Sequence, residues 1–275
     1  MMNRVELGIV DTRNVINAIK EKYNYDYKNY ALTFFKHRLE KVIANNNLKD
    51  VDQLIDLLTN QPDFYEKFLR DISVETTEMF RNPSVWRLFR DEFVPKNVKN
   101  QKSFKIWLAN CQTGEELYSL CILITEAGLW ETIELEASYD SQIYFELIKK
   151  GQFNLKKMEA NEANYKRFNP FGHLNDYFSQ DSNYGYWDPK LIENVKFSKQ
   201  YITFDDAPGN FHLVWFRNQM IYYNHILQDQ VLRKIYHCLH MGGHIVIGEK
   251  ESIANSNLNK KFKAINESEK IFKKL

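Results

Sequence analysis

A chain of 275 residues with 44% hydrophobic and 15% aromatic side chains has enough apolar material to pack one large core or two modest ones, which excludes a disordered chain. A net charge of +1 leaves no strong field to attract nucleic acid or an anionic membrane. No stretch approaches the roughly 18 uninterrupted apolar residues of a membrane span. No basic-then-apolar leader is seen, and Cys111, Cys121 and Cys238 form no C-x-x-C pair, so reduced thiols and a cytoplasmic location are expected.

Residues 1–72 are expected to form a helical domain. Phe34, Phe35, Arg38, Leu39, Val42 and Ile43 make an apolar stripe, with Lys36, His37, Glu40 and Lys41 largely on the other face. Val51, Leu54, Ile55 and Leu58 mark a second helix, and Pro62-Asp63 opens a third that turns Phe64, Phe68 and Leu69 inward. Short helices with short connections predict a compact bundle. Residues 73–104 are expected to be a linker and bridging helix: helical from Ser73 to Arg81, a stop at Asn82-Pro83, then helix from Val85 to Phe93.

From residue 105 to 275 the period changes and the fold class becomes α/β. Lys105–Ala109 is expected as a buried strand, 110–114 as a tight loop and Glu115–Ala127 as a helix. Thr132–Tyr139 is a second strand, and Gln142–Lys150 a helix stopped by Gly151. The stretch of about 160–200 breaks the rhythm with Tyr177, Phe178, Tyr184, Tyr186 and Trp187, and reads as a small antiparallel insertion. Phe211–Phe216 is a strand, Leu227–Leu239 a helix closed by Gly242-Gly243, and His244–Gly248 a strand. A last strand contains Ile271 and Phe272. Strand–helix alternation implies a mostly parallel sheet with helices on both faces.

Ligands of such sheets sit beyond the carboxyl ends of the strands, here 110–114, 138–140 and 216–218. Gly114 alone is a weak phosphate or nucleotide signal, and no G-x-G-x-x-G follows the first strand, which argues against a dinucleotide-dependent dehydrogenase. Arg217-Asn218 directly after a buried strand needs polar partners. The residues leave two readings open for it, a structural cap or a ligand site. No histidine pair stands at metal-ligand spacing with a carboxylate, so no metal is expected.

Several segments, in order and across nearly the whole chain, resemble the chemotaxis receptor methyltransferases, the CheR family. They are Glu78 through Pro83, Trp107 through Ser119, Phe216 through Tyr223, Gly242-Gly243, and Gly248 through Ser252, with Tyr25-Asp26-Tyr27 and Arg38 resembling the family's helical domain. The resemblance implies a small N-terminal helical bundle followed by a Rossmann-like methyltransferase domain with a small β insertion. It implies transfer of a methyl group from S-adenosylmethionine to glutamates of a chemoreceptor or similar helical signalling protein. Thr77, Arg81, Glu116, Arg217 and Asn218 match the family's cofactor contacts, and Tyr222 matches a tyrosine beside the transferring methyl; Arg81 and Tyr222 are the catalytic candidates. The basic face carrying Lys36, Arg38 and Lys41 matches a receptor-facing surface, and the aromatic insertion matches in position a subdomain that tethers a receptor tail in some members.

Four positions depart from the family pattern: Glu75 stands for an asparagine, Asn110 for a small residue, Tyr139 for the acid that holds the ribose, and Tyr201-Ile202 for an Asn-Leu pair near the adenine. Asp140 is one residue late, and in a strand one residue reverses the face. Loss of the acid would remove about 1.5–3 kcal/mol of charge-assisted hydrogen bonding. The departures open an alternative: a degenerate methyltransferase fold without cofactor, acting as a protein-binding or regulatory module.

Overall fold

A computed structural model of the chain describes residues 6–72 and 77–275. Residues 6–72 form four α-helices: α1 (Ile9–Tyr23), α2 (Leu32–Asn45), α3 (Val51–Asn60) and α4 (Pro62–Ile72). The helix beyond the three with plain stripes is α1, which turns Val15, Ile16 and Ile19 inward from an otherwise polar sequence. Local chemistry sets the boundaries. Asn24 ends α1 in the left-handed conformation that asparagine tolerates. The Asp50 carboxylate accepts from Gln53 N to start α3, and Pro62 opens α4. Arg38 lies between the faces. Its Nε and Nη2 donate to the carbonyls of Ile72 and Asp71, so it closes the end of α4.

The helix expected from Ser73 to Arg81 is not formed over its described part. Glu75 lies outside the described residues, and 77–82 is a turn in which Phe80 (φ 50°) and Asn82 (φ 55°) both take left-handed backbone. The chain then enters α5 (Pro83–Leu88), widens to a π turn over Phe89–Phe93, and ends in α6 (Val94–Asn97). Val94 N–H reaches back five residues to Phe89 O, just ahead of Pro95, which has no N–H to donate. Trp86 and Phe89 pack on Trp215 at 4.6 and 5.5 Å between rings, so the bridging helices belong to the α/β core.

That core begins with β1 (Phe104–Leu108), α7 (Glu115–Glu126), β2 (Ile133–Tyr139) and α8 (Gln142–Lys149). An insertion follows: β3 (Gln152–Asn154), α9 (Met158–Phe168), β4 (Phe178–Gln180) and β5 (Tyr184–Trp187), with the three strands antiparallel in the order β3-β5-β4. The chain returns through β6 (Lys196–Lys199), β7 (Phe211–Trp215), α10 (His225–Cys238), β8 (Leu239–Val246), β9 (Phe262–Asn266) and β10 (Ile271–Lys274). The main sheet runs β6-β2-β1-β7-β8-β10-β9. Its first five strands are parallel, and β10 and β9 are antiparallel. This is the helical region plus Rossmann-like methyltransferase architecture that the alternation and the resemblance imply.

Two boundaries differ from the sequence expectation. The insertion sheet starts at Gln152, and 196–199 belongs to the main sheet; that strand, Lys-Phe-Ser-Lys, is a polar edge with no apolar run to reveal it. Gly242 and Gly243 do not cap a helix but lie inside β8, where pairing jumps from Phe211–Leu239 to Leu213–His244. Side chains alternate across β1 as a strand requires: Ile106 and Leu108 face the α7 core, Trp107 and Ala109 the α10 core. Among the described residues no helix is long and apolar enough to cross a membrane.

Candidate functional site

The chain leaves β1 to run one way across the sheet through β2 and resumes on the other side of β1 with β7. The carboxyl ends of these strands therefore meet at a switch point, where open α/β sheets bind ligands. A cleft partly open to solvent lies there. Its floor is Asn110, Gln112 and Asp140; Gln200–Thr203, Gln219, Tyr222 and Tyr223 form its sides; Tyr27, Tyr30, Phe34 and Ile72 of the helical domain cover it.

The floor resolves two of the departures. Tyr139 closes β2 and turns away, its ring stacked on Phe145 at 4.1 Å with 1° between planes. Asp140 is the first residue beyond the strand, where alternation no longer governs direction, and it is the acid that lines the cleft. The loss of an acid at this place, expected from Tyr139, is thus corrected. Asn110 holds φ at 74°, a value asparagine tolerates far better than alanine. Its N–H donates to Ser138 Oγ (3.0 Å), its Oδ1 accepts from Gln112 N (3.1 Å), and its Nδ2 lies 3.2 Å from Asp140 Oδ2. The side chain builds the turn and holds the acid. Enclosure pushes the Asp140 carboxyl up to about 6, against the pull of the Asn110 amide and backbone N–H groups.

A buried ion pair stands at the carboxyl end of β7, outside the lining of the cleft. Arg217, the second residue past β7, has a side chain only 2% exposed. Its Nη1 donates to Glu116 Oε1 (2.8 Å) and to Arg81 O (3.2 Å), and its Nη2 to Asn82 Oδ1 (2.9 Å). The indoles of Trp86 and Trp215 flank the guanidinium at 6.0 and 5.8 Å. Burial, helped by the Glu251 charge, holds the Glu116 carboxyl above its ordinary value against the pull of Arg217 and Arg81. Arg217 Nε is buried without a hydrogen-bond partner among the described residues.

Residues 11–73 match the all-α domain of the CheR methyltransferases, and residues 75–271 match their SAM-binding domain. The chain belongs to the CheR methyltransferase family. A Pseudomonas putida protein named as methyltransferase Cher3 is 30% identical over 265 residues, 96% of this chain and 97% of its own. The chemotaxis protein methyltransferase of Listeria monocytogenes is 21% identical over 239 residues (86% and 88%), and chemotaxis protein methyltransferase 1 of Vibrio cholerae 24% over 253 (87% and 86%).

In this CheR-family chain the residues singled out from sequence fall into separate groups. Arg81, Glu116 and Arg217 meet through the ion pair and the Arg81 carbonyl. Thr77 is turned to the start of α7, its Oγ1 donating to Glu115 Oε2 (2.5 Å), which Thr113 Oγ1 also reaches. Asn218 has left-handed backbone (φ 58°) and donates its N–H to Glu251 Oε2 (2.9 Å). Tyr222 lines the cleft and stacks on Phe34 at 4.1 Å. Tyr201 does not project into open space; its ring packs with Tyr25 (4.9 Å) in the core of the helical domain and forms a wall.

Glu251 was legible only as part of a motif. Its buried carboxylate accepts from Gly248 N (2.5 Å), Met220 N (2.6 Å) and Asn218 N, and so ties the loop after β7 to the loop after β8. A Cβ on Gly248 would fall 2.7 Å from Asn218 Oδ1, so the joint requires glycine. Phe34 was missed because an aromatic on a helical stripe reads as core until its neighbours are known, and Tyr30 because it lies in the connection before α2, where no periodicity marks it.

Proposed function

We propose that this chain transfers a methyl group from S-adenosylmethionine to glutamate side chains of a chemoreceptor or a similar helical signalling protein. The observation that carries the reading is Asp140, a carboxylate held by Asn110 at the floor of an aromatic-walled cleft at the switch point. An acid for hydroxyls and flat walls for a base fit the adenosine part of the cofactor, and the Glu116–Arg217 pair at the carboxyl end of β7 offers charged groups outside that lining.

The cofactor, when bound, supplies a methyl group on a cationic sulfur. Asp140 and Asn110 would hold the ribose hydroxyls, and Arg81, Glu116 and Asn218 the amino-acid end. Tyr27, Tyr30 and Phe34 exclude water from one side. The accepting glutamate is ionised at neutral pH (reference pKa about 4.3), so no base need take a proton from it. The chain's work is orientation, with Tyr222 beside the acceptor's path.

A second reading, a regulatory module without cofactor, draws support from crowding: Tyr27, Tyr30, Tyr201, Tyr222 and Tyr223 all border the cleft. Calorimetric titration with S-adenosylhomocysteine separates the two. Micromolar binding that weakens in Asp140→Asn supports the enzyme; no heat from a folded, ligand-free sample leaves the module. Alkali-labile methyl incorporation into a chemoreceptor fragment then tests the transfer itself.

A further inference from the structure

The main chain around Tyr222 is fastened to the helical domain. Ala31 N–H donates to Tyr222 O (2.9 Å), and Asn224 N–H donates to Asn29 O (2.9 Å). Tyr30 and Tyr223 form an antiparallel bridge between these bonds. Within the loop, Tyr222 N–H donates to Gln219 O (3.1 Å). The two sides are anchored in different cores, Tyr223 in the α10 core and Tyr27 in the bundle.

From this held backbone the Tyr222 side chain packs against the α10 core, and its rotamer sets where the ring points in the cleft. Phe34, in the first turn of α2, meets that ring face to face, 4.1 Å between centroids and 24° between planes. Both rings line the cleft. Phe34 is not among the side chains that pack the bundle; its neighbour Phe35, with Leu39, Val42 and Ile43, does that. A half-buried aromatic placed on the cleft face, outside its own domain's core, points to the site.

We propose that Phe34 is a positioning residue for methyl transfer, fixing the orientation of the Tyr222 ring through stacking. This rests on the transferase reading above. The helical domain thereby contributes a working part of the site. A shift of α2 against the sheet would move the Phe34 ring and, through it, Tyr222, while the Asp140 floor stays in place.

The test uses the full chain as wild type, Phe34→Ala and Phe34→Tyr. Saturating methyl-tritiated S-adenosylmethionine is supplied with soluble cytoplasmic fragments of the chemoreceptors of the same genome. Methanol released by alkali reports transfer, and titration with S-adenosylhomocysteine reports affinity. Phe34→Ala is expected to lower kcat about tenfold or more while the dissociation constant moves less than about threefold, because orientation rather than binding is lost. Phe34→Tyr, which keeps the flat face, restores kcat to within about twofold of wild type. An active wild type with unchanged kcat in Phe34→Ala overturns the inference and leaves the transferase reading standing. So does a loss of affinity in step with kcat, which would mean that Phe34 acts by holding the cofactor and not by orienting Tyr222. A wild type that methylates none of the fragments overturns both.

Discussion

The Nδ2 amide of Asn110 lies 3.2 Å from Asp140 Oδ2, across the gap between the ends of β1 and β2. Two residues that depart from the family pattern, or stand one place late in it, therefore form one unit. Asn110 supplies left-handed backbone without glycine and spends its amide on the acid. Asp140→Asn is expected to weaken S-adenosylhomocysteine binding about tenfold or more, the scale of one charge-assisted hydrogen bond. Calorimetry at pH 7.5 checks it; undiminished affinity would remove Asp140 from the ribose site.

Asp140 also predicts a pH dependence. Its carboxyl is raised from an ordinary 3.8 to about 6, so the folded chain holds the proton more readily than the unfolded chain. The contribution to stability is fully present below the unfolded value and is lost as pH rises through about 6. The loss is at most about 3 kcal/mol, and less because the cleft admits solvent. Asp140→Asn should therefore melt higher than wild type at pH 7.5, with the gap closing near pH 4. Cofactor affinity should run the opposite way and rise through pH 6 as the carboxylate ionises. Melting curves at several pH values decide it, and a constant gap would mean the acid is not the cause.

At Asn110 backbone and side chain can be separated. Asn110→Gly keeps the left-handed turn and loses the amide; Asn110→Ala loses both. Alanine should be the more destabilising by about 1 kcal/mol in urea unfolding, with both variants weakening ligand binding alike. Equal stability would show that the turn relaxes to another conformation.

Much of this was readable in sequence. The apolar periodicity from Lys105 onward contained the parallel sheet, and the segments around Gly114, Arg217 and Gly248 marked the ends of its strands. What escaped has physical reasons. A strand's alternation stops at its last residue, so counting from Tyr139 gave the wrong face for Asp140. Polar edge strands such as Lys196–Lys199 have no hydrophobic signal, and Gly242-Gly243 reads equally as a helix stop or a bulge. The aromatic cover of the cleft depends on contacts between residues nearly two hundred positions apart, such as Tyr30 with Tyr223, which no local pattern encodes.

Arg217 and Glu116 form a buried pair, and breaking one side leaves a charge with no solvent. Glu116→Gln and Arg217→Ala should each cost about 3–5 kcal/mol. Arg217→Lys should not rescue, because a single ammonium cannot reach Glu116, Asn82 and the Arg81 carbonyl together. Chemical denaturation gives the size. A double variant, Glu116→Gln with Arg217→Met, should lose less than the sum of the singles if the pair is the unit that matters.

Glu251 acts on the site without lining the cleft. Its two oxygens accept backbone N–H groups from Gly248, Asn218 and Met220, and so shape the loop that carries Gln219 and Tyr222. In Glu251→Gln one oxygen becomes an NH₂ that faces an N–H instead of accepting from it. One or two of the bonds are lost, at a cost of about 1–3 kcal/mol. The loop should loosen first where it is held least. Amide hydrogen exchange is therefore expected to rise across residues 218–223 while the protected amides of β7 and β8 remain slow. Uniform exchange across the whole domain would mean that Glu251 supports the fold at large and not the loop. Exchange confined to 218–223, together with weaker S-adenosylhomocysteine binding, would place the control of this side of the cleft in a carboxylate three residues past Gly248.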